Sequence, residues 1–66
     1  MTNARRLRIE RGMSIAGMSH EIKANPTVLS MAERRRLTPS KRVREAVSNF
    51  FAVPEGELFG NDGLAI

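Results

Sequence analysis

The fold is decided by residues 14–33, which read SIAGMSHEIKANPTVLSMAE. Ser14 is a favourable helix N-cap, because its hydroxyl oxygen can accept a hydrogen bond from a backbone N–H of the following turn. A stripe that is apolar except for one serine follows at helical spacing: Ile15, Met18, Ser19 and Ile22. This pattern predicts a short helix over Ile15–Ile22.

A second helix is predicted directly after the first. Asn25 is a good N-cap, and Pro26 suits the first position of a helix, where its missing N–H leaves no hydrogen bond unmade. We place this helix over Pro26–Ala32, so that only residues 23–25 separate the two helices. That spacing is typical of a helix-turn-helix.

The flanking sequence is also predicted to be helical. A first helix covers about Asn3–Arg11 and ends at Gly12, and a fourth covers about Lys41–Ala52 with Ser40 as its cap. A last short helical turn begins at Pro54. Since no run alternates apolar and polar residues as a strand does, the expected class is all-α.

The length and composition predict one small domain. Residues 1–60 are expected to form it, and residues 61–66 to be a flexible tail, because residues 60–63 are polar and turn-forming. The chain has no cysteine, so helix packing or self-association must stabilise it, and this composition fits a reducing cytoplasm. No apolar stretch suits a membrane span or a signal peptide.

Charge is divided unevenly along the chain. Residues 5–44 contain all 11 Lys and Arg residues and three acids, for a net charge of +8. Residues 45–66 contain four acids and no base, for a net charge of −4. Segregation of this kind favours a polyanionic partner for the basic part, with a simple solubility surface as the alternative.

Seven short motifs follow one another in colinear order from Leu7 to Phe59. They are Leu7-Arg8, Gly12-Met13-Ser14, Met18-Ser19, Ala32-Glu33, Pro39-Ser40, Phe51-Ala52-Val53 and Leu58-Phe59. This run resembles the phage-repressor/Cro-type (xenobiotic response element-like) helix-turn-helix family. The resemblance implies a compact five-helix, lambda-repressor-like domain, and a transcriptional regulator that binds double-stranded DNA sequence-specifically in the bacterial cytoplasm. It also implies a salt bridge between Arg8 and Glu33.

Three departures from the family's pattern bear on the expected site. Lys23 stands where the turn usually has Gly, so it must tolerate a left-handed conformation or shift the turn. Ile15 stands where a DNA-contacting Gln is common. The base-reading positions fall on Pro26, Thr27 and Met31, none of which can make the bidentate hydrogen bonds by which Arg, Gln or Asn reads a base.

The resemblance places Pro26–Ala32 in the major groove as the recognition helix. Thr27 and Met31 would contact thymine methyl groups, and Ser30 a base edge or a phosphate. The arginines that follow, Arg34–Arg36, would bind phosphates, or one of them would enter the minor groove; the alternative is that they are merely solvated. Met31 is alternatively a protein contact. The candidate DNA-binding residues are Ser14, Asn25, Pro26, Thr27, Ser30, Met31, Arg34, Arg35, Arg36, Lys41 and Arg42.

A domain this small makes few DNA contacts, so a homodimer on two half-sites is expected. Phe50, Leu58 and Phe59 are candidate dimer residues, with an intramolecular core as the alternative. An enzyme is not expected, because the chain has one histidine, His20, and no phosphate loop or metal-ligand spacing; we predict no metal, no cofactor and no small-molecule substrate. A protein-binding adaptor or antirepressor and an antitoxin-like autorepressor remain open as other functions.

Overall fold

Four α-helices make up the computed structural model, which describes residues 1–66 in full. They are α1 (Asn3–Glu10), α2 (Ile15–Ile22), α3 (Pro26–Glu33) and α4 (Lys41–Phe51). The all-α class is confirmed, but a single 3-10 turn, Glu55–Glu57, stands in place of the fifth helix. The radius of gyration is 10.2 Å, close to the roughly 11 Å of a compact domain of this length. None of the helices has the length and apolar composition that crossing a membrane would require.

Three of the helices begin at a side-chain cap that the sequence predicts. In each, an oxygen of the capping side chain accepts hydrogen bonds from backbone N–H groups two or three residues further on: Ser14 from Gly17 (2.9 Å), Asn25 from Thr27 and Val28 (2.8 and 3.3 Å), and Ser40 from Val43 (3.3 Å). Such a cap contributes about 1 kcal/mol to the stability of the helix. The helix starts are therefore set locally, and the predicted helix ends differ from the observed ones by at most one residue.

The turn between α2 and α3 depends on a left-handed residue. Lys23 has φ 56° and ψ 45°, so it tolerates this conformation and the turn is not shifted. The conformation costs a residue with a β-carbon about 1–2 kcal/mol. Local hydrogen bonds offset that cost, because the N–H groups of Lys23 and Ala24 both donate to the carbonyl of Ser19. Arg42 Nη2 in turn donates to the carbonyl of Lys23 at 3.2 Å.

One hydrophobic core lies between the helices. Its largest deeply buried side chains, none more than 2% exposed, come from α2, α3, α4 and the segment after the 3-10 turn: Met18, Leu29, Val47 and Leu58. Helices α2 and α3 pack against each other, and α4 packs against α2 and the 3-10 turn. The core thus holds α3 by its inner side and leaves its outer side facing solvent.

The C-terminal segment folds back onto the domain, in contrast to the flexible tail expected over residues 61–66. Ala65 is fully buried and forms an isolated antiparallel bridge with Phe59. Three backbone hydrogen bonds hold the segment: Gly60 to the carbonyl of Leu64 (2.8 Å), Ile66 to that of Leu58 (3.0 Å), and Asn3 to that of Ile66 (2.7 Å). The sequence indicates the polar turn, but the docking depends on residues that are distant in sequence.

Candidate nucleic-acid interface

The predicted salt bridge between α1 and α3 is present. Arg8 donates from Nε to Glu33 Oε2 at 2.7 Å and from Nη2 to Glu33 Oε1 at 3.1 Å, and its Nη1 donates to the carbonyl of Met13 at 2.8 Å. The side chains of Arg8 and Glu33 are only 12% and 4% exposed. Thr2 Oγ1 adds a hydrogen bond to the Glu33 carbonyl at 2.6 Å. The C-terminal end of α3 is therefore fixed against α1.

The two faces of α3 differ in exposure. The inner face is buried in the core and in the salt bridge, and it consists of Leu29, Ala32 and Glu33. The outer face consists of exposed and partly exposed side chains, which we call the α3 surface: Pro26, Thr27, Ser30 and Met31. This division agrees with the helical spacing, which puts Leu29 and Ala32 on one side of α3 and Thr27, Ser30 and Met31 on the other. The α3 surface therefore faces solvent and is accessible to a partner.

The α3 surface offers apolar contacts and single hydrogen bonds. Thr27 presents a methyl and a hydroxyl group, Ser30 a hydroxyl group and Met31 a flexible thioether. Asn25, the cap of α3, uses Oδ1 for two backbone N–H groups, which leaves its amide nitrogen to donate elsewhere. No side chain here presents the paired donor and acceptor of a bidentate contact along α3.

Three consecutive exposed arginines follow α3, and we call Arg34–Arg36 the arginine loop. Arg35 has a φ of 61°, so the backbone leaves the helix at this residue. Arg34 Nε donates to the carbonyl of Ser30 at 3.3 Å, and none of the three arginines forms a salt bridge. Their positive charges are therefore available to an anion outside the molecule.

Two further basic residues lie at the start of α4. Arg42 is exposed, and its hydrogen bond to the Lys23 carbonyl places it beside the turn that precedes α3. Lys41 Nζ lies 3.8 Å from Glu45 Oε1, in a pair whose side chains are 78% and 53% exposed. Such an exposed pair contributes about 0–1 kcal/mol. Basic side chains thus flank α3 before its start and after its end.

Four other arginines have partners within the molecule. Three pair with carboxylates and one lies over aromatic rings: Arg6 with Glu10 (3.2 Å), Arg8 with Glu33 (2.7 Å), Arg44 with Glu55 (2.7 Å), and Arg11 over Phe50 and Phe51 (4.8 and 5.1 Å to the ring centroids). Basic side chains therefore fall into two groups. The group without a strong internal partner gathers around α3.

Two of the three candidate dimer residues lie in the core. Leu58 and Phe59 are 0% and 5% exposed, because the C-terminal segment folds back over them. Neither can offer its side chain to a partner subunit, so the intramolecular alternative holds for both. Phe50 is half-buried and packs edge-to-face on Phe51, with the ring centroids 5.1 Å apart.

Sequence reasoning missed two arginines that shape this region. Arg5 is exposed and lines two surface clefts together with Glu33 and Arg34. Its position three residues before Arg8 was the available signal, since that spacing puts both on one side of α1. Arg44, besides its ion pair, donates from Nη1 to the carbonyl of Pro39 at 2.7 Å and so anchors the segment between α3 and α4.

Comparison with known proteins finds no family model, no curated protein and no solved structure that matches the chain. The resemblance to the phage-repressor/Cro-type family therefore stays a prediction from the sequence motifs. The placement and charge of the side chains around α3 are the basis on which a function can be assigned.

Proposed function

We propose that this protein is a sequence-specific, double-stranded-DNA-binding transcriptional regulator of the phage or plasmid repressor (Cro-like) type, and not an enzyme. In this proposal α2 and α3 form a helix-turn-helix, with α3 as the recognition helix in the major groove. The domain would be a lambda-repressor-like fold in which the 3-10 turn replaces the fifth helix.

The observation that carries the proposal is the sorting of the basic side chains. Arg6, Arg8, Arg11 and Arg44 are paired with carboxylates or aromatic rings, whereas the arginine loop and Arg42 have no carboxylate partner. Positive charge that served only solubility would be expected to spread over the surface, and not to lie beside the exposed face of one helix. A polyanion that lies along α3 explains the arrangement.

The dimensions and chemistry of α3 suit the major groove. An α-helix with its side chains is about 10–12 Å in diameter, which matches the roughly 12 Å width of the groove. The eight residues of α3 extend about 12 Å along its axis. Thr27 and Met31 would contact thymine methyl groups, and Ser30 would donate to a base edge or a phosphate. Since no bidentate contact is available, base specificity would depend on these apolar contacts, on bridging water and on DNA shape.

Affinity would come mainly from phosphate contacts. Guanidinium groups of the arginine loop and Arg42, with Lys41, would bind phosphate oxygens on either side of the groove. Ser14 and the first N–H groups of α2 suit a further phosphate, and Asn25 has its amide nitrogen free to donate. This division predicts strong salt dependence and modest discrimination between sequences.

A homodimer would be needed for two half-sites. The domain measures 27 × 20 × 20 Å, so one copy cannot span half-sites about 34 Å apart. Leu58 and Phe59 are excluded as dimer residues by burial, which leaves Phe50 as the member of the predicted set that retains exposed surface.

The test is to select bound duplexes from a random pool and then to measure affinity by fluorescence anisotropy. The selected duplex should bind at least tenfold more tightly than a scrambled duplex of equal composition, and the logarithm of the affinity should fall linearly with the logarithm of salt. Light scattering of the complex should give two chains per duplex. Equal, weak binding of all duplexes would contradict the proposal.

One observation favours a second candidate, a protein-binding adaptor or antirepressor. The α3 surface carries no strong hydrogen-bonding group, and Met31 is partly exposed as it would be at a protein contact. An adaptor would bind DNA weakly and without sequence preference, and would form a stoichiometric complex with a protein. An antitoxin-like autorepressor would share the DNA-binding surface, and the identity of the neighbouring gene separates it from a phage or plasmid regulator.

A further inference from the structure

We infer that Arg5 of α1, together with Arg34 and Arg35, forms a binding site for one phosphate of the DNA backbone at the C-terminal end of α3. This inference rests on the proposed function and extends it. It adds α1 to the interface and assigns a residue that lies outside both the helix-turn-helix and the arginine loop.

The first observation is a cleft in which the three arginines meet. Arg5, Arg34 and Arg35 line one open cleft together with Thr2 and Glu33. None of these arginines forms a salt bridge, so three positive charges share the cleft without a carboxylate partner. Like charges held together repel one another, and a bound anion would remove that repulsion.

The second observation links this cleft to the α3 surface. A neighbouring cleft is lined by Arg5, Arg8, Ile15, Ser30, Glu33 and Arg34. Arg5 and Arg34 therefore border both clefts, and Ile15 at the start of α2 and Ser30 on α3 border the second. Arg5 thus lies on the same side of the molecule as the residues proposed to face DNA.

The charge balance of the two clefts points to an anion. Their only acidic side chain is Glu33, whose carboxylate is occupied by the bidentate contact with Arg8 and is 4% exposed. The exposed charged side chains of the two clefts are therefore all positive. Guanidinium groups bind phosphate through parallel N–H donors, and a phosphodiester that approaches α3 is the anion that the proposed complex would bring here.

The chain offers a closely matched control in Arg6. It carries the same charge one residue further along α1, where the helix turns it by about 100°. Arg6 pairs with Glu10 at 3.2 Å and borders a different cleft, beside Leu7 and Val53. Arg5→Ala and Arg6→Ala therefore remove equal charge from the same helix, but only Arg5→Ala removes it from the inferred site.

The experiment compares wild type, Arg5→Ala, Arg5→Lys and Arg6→Ala by anisotropy with the selected duplex over a series of salt concentrations. Arg5→Ala should weaken binding roughly fivefold and lower the salt slope by about one unit, while Arg6→Ala stays within about twofold of wild type. Arg5→Lys should retain part of the affinity, since it keeps the charge but not the fork geometry. Thermal unfolding of each variant verifies that the fold is unchanged.

Duplexes with a single neutral methylphosphonate at each backbone position then identify the phosphate. One position should weaken wild type more than it weakens Arg5→Ala, because the variant has already lost one of the three contacts to that phosphate. Equal effects of Arg5→Ala and Arg6→Ala, or methylphosphonate profiles that coincide for wild type and Arg5→Ala, would overturn the inference and leave the proposed function standing. A wild-type protein that binds no duplex would overturn both.

Discussion

Two neighbouring regions of this molecule use arginine in opposite ways. Arg8 is almost buried and donates three hydrogen bonds to Glu33 and Met13. The arginine loop begins one residue after Glu33, yet its side chains are exposed and have no carboxylate partner. The comparison teaches that residue type alone does not separate an arginine used inside the fold from one left open to an outside partner. The presence or absence of an internal carboxylate does.

The largest expected effect is on stability, and it concerns Arg8, the arginine with an internal carboxylate partner. Arg8→Ala leaves the Glu33 carboxylate buried without its partner and should lower the free energy of unfolding by about 3–5 kcal/mol. Urea denaturation followed by circular dichroism measures it. Arg6→Ala is the matched control, because its pair with Glu10 is 51% and 58% exposed and should contribute no more than about 1 kcal/mol.

A double variant sharpens this prediction. Arg8→Met with Glu33→Leu removes both charges and keeps apolar volume, so it should recover most of the stability that Arg8→Ala loses. If the double variant were as unstable as the sum of the two single changes, the pair would not be acting as a buried unit.

The second-largest expected effect is on DNA affinity, and it concerns the arginine loop, which has no carboxylate partner. Arg35→Ala with Arg36→Ala should leave the free energy of unfolding within about 0.5 kcal/mol of wild type. The same variant should weaken binding to all duplexes alike and lower the salt slope by about two units. Anisotropy against the selected and scrambled duplexes tests this. A loss confined to the selected duplex would assign these arginines to base reading and contradict the phosphate role.

The smallest effect concerns a pair that lies between the two cases. Lys41 and Glu45 are in reach of each other but largely exposed. Glu45→Gln should change stability by less than about 0.5 kcal/mol. It should also strengthen DNA binding slightly, since it frees the Lys41 ammonium and removes a negative charge near the proposed backbone contacts. Weaker DNA binding by Glu45→Gln would contradict the proposed contact between Lys41 and a phosphate.

The parts of the fold that depend on local chemistry were predictable from the sequence. Asn25-Pro26 sets the start of α3 because the cap and the proline act within one turn. The Arg8–Glu33 bridge followed from the family resemblance, and its geometry agrees. The exposure of the α3 surface agrees with the helical spacing of Thr27, Ser30 and Met31.

The parts that depend on distant contacts were not predictable. Ala65 is buried because the chain returns to Phe59, which no local pattern indicates. The same return buries Leu58 and Phe59, for which the sequence left a dimer surface and an intramolecular core as alternatives. The spacing of Arg5 from Arg8 indicates its side of α1, but the cleft that it lines forms only once α1 lies against the end of α3. DNA binding itself stays a proposal that the charge placement supports.

The Arg42 side chain has two roles. Its hydrogen bond to the Lys23 carbonyl stabilises a turn residue in the left-handed conformation, and its guanidinium belongs to the set proposed to contact phosphate. A guanidinium has five N–H donors, so a phosphate on its free edge need not displace the carbonyl. In a DNA complex of the kind proposed, the nucleic acid would anchor the inter-helix turn through Arg42, and amide hydrogen exchange near Lys23 would slow in the bound state.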